Sequence, residues 1–112
     1  MQLGEINDGL GQLLVSGLPF PVKALCATTE TVVVLFQPDA FVEQYGQFEN
    51  LRAYDYRGEE IWRGDLPTTH TGDHFGSMSC SGVHVVVAHS FSGFRLTLEL
   101  RTGKETERTF LK

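Results

Sequence analysis

The chain repeats itself. Residues 51–63, Leu-Arg-Ala-Tyr-Asp-Tyr-Arg-Gly-Glu-Glu-Ile-Trp-Arg, are two short strand-like runs folded about Gly58, and residues 96–108, Leu-Thr-Leu-Glu-Leu-Arg-Thr-Gly-Lys-Glu-Thr-Glu-Arg, follow the same plan about Gly103. That second pattern lies 45 positions after the first, whereas Val85-Val86-Val87 lies 53 positions after Val32-Val33-Val34. The first offset also sets Arg108 on Arg63 and Leu111 on Leu66, and the second sets Cys80 on Ala27. The difference between the two offsets is an eight-residue insertion in the first copy, between its second and third strands. A repeat of this length predicts two copies of one supersecondary unit.

Local chemistry says what the unit is. Residues 22–28 and 31–36 are rich in Val, Thr and Leu and flank the polar Thr29-Glu30, which reads as a hairpin. The run Val32-Val33-Val34-Leu35-Phe36 is apolar at every position, so it predicts a strand covered on both faces. Pro19 and Pro21 forbid a regular central strand before it, because each lacks a ladder donor. The fold class expected is all-β: two consecutive four-stranded antiparallel meanders, residues 22–66 and 75–112, joined by the linker 67–74. Residues 1–21 are an N-terminal segment in which 12–16 can supply one edge strand. At 112 residues the chain is a single domain with one core, and a lone sheet must bury its apolar face on the other sheet or on a second copy.

The runs Asn50-Leu51-Arg52-Ala53-Tyr54-Asp55 and Gly58-Glu59-Glu60-Ile61-Trp62-Arg63 resemble the outer half of a blade in quinoprotein-like and WD-type β-propellers. The second copy is degenerate, with Glu107 where the motif has Trp. The resemblance implies the blade as a structural unit, packed as a small sandwich or half-propeller, with Trp62 between sheets. It implies no quinone, since two blades cannot close the ring that would hold one.

No signature of catalysis stands out. His70-Thr71-Gly72-Asp73-His74 gathers two imidazoles and a carboxylate, but Pro67 and Gly72 make the segment a loop and no further Cys or His completes a tetrahedral set. His84 and His89 are five apart and would face opposite ways on a strand. The serines lack a nucleophile elbow, and there is no phosphate-binding glycine loop. Glu59 and Glu60 are adjacent on a strand and point apart, so they do not face one substrate. No cofactor or metal is expected. Cys26 and Cys80 read as small buried residues rather than as a bridge.

Charge points to a partner. The net charge is −5, and residues 37–73 account for all of it, with eight acids against three arginines. That balance disfavours nucleic acid and favours a basic protein. The insertion places Phe41, Tyr45 and Phe48 among Asp39, Glu43 and Glu49, and Asp73 closes the acidic stretch. Aromatics ringed by charge on a long loop are candidate partner-binding residues, although the same rings can cap the core. The longest apolar run is far short of the roughly 20 residues of a membrane span, and the first residues lack the features of a secretory signal. The expectation is a cytoplasmic, non-catalytic protein-binding module, most specifically an immunity or inhibitor protein that occludes a basic toxin or nuclease. Alternatives are a half-propeller that self-associates, down to a homodimer, and a metal-dependent enzyme using His70, Asp73 and His74.

Overall fold

A computed structural model describes residues 17–40, 46–82 and 84–111, and the edge strand expected at 12–16 lies outside them. The first copy forms β1 (Val22–Ala27), β2 (Val32–Phe36), β3 (Leu51–Tyr54) and β4 (Glu60–Arg63). The second forms β5 (Phe75–Ser81), β6 (Val85–Ser90), β7 (Phe94–Glu99) and β8 (Glu105–Phe110). Each is a four-stranded antiparallel meander in chain order, so the protein is all-β with two sheets. The insertion holds a short 3-10 turn, Pro38–Ala40.

The pairing registers carry the repeat. Val33 stands opposite Ala53 and Val86 opposite Leu98, which preserves both offsets read from the sequence. Gly58 and Gly103 both take left-handed backbone at their turns, with φ of 91° and 74°, a conformation that favours glycine. The edge of each sheet also repeats an ion pair: Arg63 grips Glu60 with two hydrogen bonds of 2.9 and 3.1 Å, and Arg108 grips Glu105 with two of 2.8 and 2.9 Å.

One alignment needs correction. Cys26 lies opposite Val33 and Cys80 opposite Val86, so the two cysteines are each other's counterparts and Cys80 does not correspond to Ala27. The cause is a turn: residues 28–31 join β1 to β2, whereas only residues 82–84 join β5 to β6. The expectation of unbridged cysteines is overturned as well. Cys26 and Cys80 form a disulfide across the two first strands, with their Cα atoms 6.3 Å apart. Beside it the Lys23 Nζ donates to the Gly76 carbonyl at 2.7 Å, so β1 and β5 are tied twice.

The core is layered. Val33, Leu35, Leu51, Ala53 and Trp62 from the first sheet meet Phe75, Val86, Ala88, Leu96, Leu98 and Leu100 from the second. The opposite face of the first sheet, with Val32, Val34, Phe36 and Tyr54, is covered by Leu18, Phe20 and Phe48. All five residues of β2 are therefore buried, as its uninterrupted apolar run predicts. A buried side chain of this kind contributes about 1.5 to 3 kcal/mol. The outer face of the second sheet is different: Ser77, Ser79, Ser81, Arg95 and Glu99 are exposed along it.

Trp62 is buried as expected, its indole N–H donating to the Leu100 carbonyl at 2.9 Å. Its offset counterpart Glu107 is exposed for a reason of register. Trp62 pairs with the core-facing Ala53, but Glu107 pairs with Thr97, because the bulge in the second copy falls one residue earlier. A shift of one residue turns a strand's side chains to the other face.

Candidate partner-binding face

The insertion, the linker and the β6–β7 turn meet at one end of the sandwich. Phe48 forms a parallel bridge with His74, its N–H donating to the Asp73 carbonyl at 3.0 Å, and the Gly72 N–H reaches the Gly46 carbonyl at 3.0 Å. Gln47 braces the linker from the side, donating to the carbonyls of Thr68 at 2.6 Å and His70 at 3.1 Å. The Phe91 N–H then donates to the His74 carbonyl at 2.7 Å, which adds the turn.

Two of the expected partner-binding residues are interior instead. Phe48 is 4% exposed and packs edge-on against Phe20 with ring centres 4.9 Å apart, so it caps the second core. Asp73 is 1% exposed, and its carboxylate accepts hydrogen bonds from the Thr68 hydroxyl at 2.6 Å, the Ser92 hydroxyl at 2.9 Å, the His74 N–H at 3.0 Å and the Ser92 N–H at 3.1 Å. A buried carboxylate is tolerated when its lone pairs are filled this way, and here it organises the loops. Asp39 is exposed and Glu49 half-buried. Phe41, Glu43 and Tyr45 lie outside the described residues.

Two residues that composition did not distinguish organise the same end. Asn50 is fully buried; its amide donates to the carbonyls of Phe36 at 3.0 Å and Phe75 at 2.8 Å and accepts the Phe75 N–H at 2.8 Å, linking the sheets. Arg52, counted among the charges of the acidic stretch, is turned inward, its guanidinium within 6 Å of the ring centres of Phe20, Phe36 and Phe48. Its Nε donates to the Glu49 carbonyl at 2.8 Å. With Arg52 and Asp73 both inside, this stretch shows solvent one charge of each sign fewer than the sequence contains, and its net charge is unchanged.

Large apolar side chains reach solvent at this end among polar ones. Phe91 is 69% exposed, Phe110 55% and Leu111 51%. They sit together: Phe91 stacks on His74 at 5.0 Å, Phe110 lies 4.9 Å from Phe94, and the Leu111 N–H donates to the carbonyl of Gly93 in the Phe91 turn at 2.8 Å. Leu66 packs against the core, whereas its counterpart Leu111 is left outside.

Among the described residues no three His, Cys, Asp or Glu side chains gather closely enough to hold an ion, and Asp73 is turned away to its hydroxyl and amide donors. No helix among them is long and apolar enough to cross a membrane.

A family model for a domain of unknown function, DUF7957, matches residues 13–110. The chain belongs to this DUF7957 family. The match spans both sheets, so the DUF7957 unit is the pair of meanders rather than one of them. Comparison with curated proteins finds no match, and neither does comparison with solved structures.

Proposed function

We propose that this chain is a non-catalytic protein-binding module, and specifically an inhibitor of the immunity type that occludes a basic protein such as a nuclease. The observation that carries the reading is the exposure of Phe91 on the hydrogen-bonded β6–β7 turn together with Phe110 and Leu111 at the end of β8, tied to that turn by the Leu111 N–H. Exposed aromatics on a braced scaffold are the usual anchors of an interface. The net charge of −5 would speed capture of a cationic partner.

The blade reading remains part of the proposal, supported by the two meanders and by Trp62 between them. Growth into a larger ring by stacking on the second sheet is disfavoured by the serines, arginine and glutamate on its outer face. Sedimentation mass separates the two readings, since a tetramer or larger closed species would favour assembly. The bridge between Cys26 and Cys80 also bears on location, because a reducing cytosol removes such bonds. An oxidising compartment suits the bridged form better than the cytoplasm expected from sequence.

The deciding experiment captures partners with the intact protein and then titrates the purified pair. Phe91→Ser with Phe110→Ser should weaken affinity at least about a hundredfold, as loss of two anchors does. Glu49→Lys should slow association and reduce its salt dependence. A double variant that binds as tightly as the parent would rule out this face.

A further inference from the structure

The opposite end of the sandwich contains a cleft that the partner-binding reading does not use. It consists of two adjoining cavities of about 420 and 310 Å³ that share His84 and Arg101. Pockets for small molecules start near 300 Å³. The larger is lined by Ala27 and the threonines Thr28, Thr29 and Thr31 from the first sheet, and by Leu100 from the second.

Both walls are fixed before any ligand arrives. On one side the Thr28 hydroxyl accepts the N–H groups of Thr31 at 3.1 Å and Glu30 at 3.3 Å, and the Tyr56 hydroxyl donates to the Thr28 carbonyl at 2.7 Å. On the other the Leu100 N–H donates to the His84 carbonyl at 2.9 Å, which locks together the two turns that carry His84 and Arg101. The polar groups at its rim are unspent. Among the described residues the ion pairs engage Arg57, Arg63 and Arg108, so the Arg101 guanidinium keeps its donors free, and the His84 ring likewise has no hydrogen-bond partner.

We propose that this cleft binds a small organic anion, its carboxylate or phosphate group held by Arg101 and His84 and its apolar body laid against Ala27 and the methyl group of Thr29. A guanidinium presents paired N–H donors matched to either oxyanion. Glu30 lines one cavity and Glu99 the other, and both repel extended polyanions. The site therefore takes a compact ligand with one anionic group and excludes nucleic acid.

The test is an NMR titration of the full chain with benzoate, phenyl phosphate and neutral benzyl alcohol. Saturable shifts at Thr29, Thr31, His84, Leu100 and Arg101 with an anion, and not with the alcohol, are the expected result. Benzoate alone saturating identifies a carboxylate ligand, and phenyl phosphate alone a phosphate. Arg101→Gln, at an exposed turn position, should weaken binding about tenfold, and Glu30→Gln should strengthen it about twofold. Equal shifts from alcohol and anions, no saturation by either anion, or an Arg101→Gln protein that binds as before would overturn the proposal. Each outcome is independent of the partner-binding face at the other end.

Discussion

Trp62 closes on Gly103 so tightly that a β-carbon added to the glycine would stand 2.5 Å from the indole Cδ2. The first repeat thus uses its tryptophan to seal the turn of the second, and the turn must be bare to receive it. Gly103→Ala combines left-handed strain of about 1 to 2 kcal/mol with an overpacking cost of about 1 to 3 kcal/mol. Gly58→Ala meets the same backbone demand at an exposed turn, so it should lose only the first part. Urea midpoints for the two variants should differ clearly, and equal losses would show that the indole yields.

Removing the other half of the contact should be worse. Trp62→Ala deletes a buried ring and strands the Leu100 carbonyl, for a loss of about 3 to 5 kcal/mol. A thermal midpoint close to the parent's would contradict the layered core.

The bridge between Cys26 and Cys80 closes a loop with a sequence separation of 54. Chain-entropy reasoning assigns such a loop about 4 kcal/mol. Cys26→Ser with Cys80→Ser should lower the denaturant midpoint accordingly, and reductant should do the same to the parent while leaving the double variant unmoved.

Asp73 holds the linker to the β6–β7 turn through hydroxyl and amide donors. Asp73→Ala leaves the N–H groups of His74 and Ser92 without their acceptor and should cost about 2 to 3 kcal/mol. Amide exchange at Ser92 and His74 should accelerate more than exchange in β6. Uniform acceleration would mean that the carboxylate supports the whole fold rather than this end.

Acid should weaken the protein through one half-buried carboxylate at a turn and one on an edge strand. The Asp55 carboxyl is held below its ordinary value of 3.8 first by the Glu59 N–H and then by that of Arg57. Glu105 is held below 4.5 chiefly by its hydrogen bonds to Arg108. Both bind fewer protons folded than unfolded, so their stabilisation is full above those ordinary values and lost as the pH falls below them. Asp55→Asn with Glu105→Gln should flatten stability against pH in the acid range, and an unchanged slope would assign the acid limb to other carboxylates.

Periodicity made the architecture legible and failed where geometry depends on a single residue. The Val32 to Phe36 run and the two glycine turns were enough to place both meanders, because burial on two faces leaves no polar position to mislead. The equivalence of the cysteines is hidden in the sequence because the turn before β6 is one residue shorter than the turn before β2. The acidic neighbourhood makes Phe48 and Asp73 candidates for a partner; Phe48 takes the core-capping alternative, and the Asp73 carboxylate is buried because hydroxyls and amides fill its lone pairs. Phe91 gave only the weak signal of an aromatic between two serines at a turn.

The two sheets are unequally clothed: the first is apolar on both sides, the second on one. Synthesis delivers them in the harder order, since the strands that need two coverings leave the ribosome before residues 75–100 exist to supply one of them. Until then the early half is a sticky slab with edges open to its neighbours on the polysome. Residues 17–66 expressed alone should therefore sediment as aggregates at concentrations where residues 67–112 stay dispersed, and the reverse behaviour would make the later half the one in need of shelter.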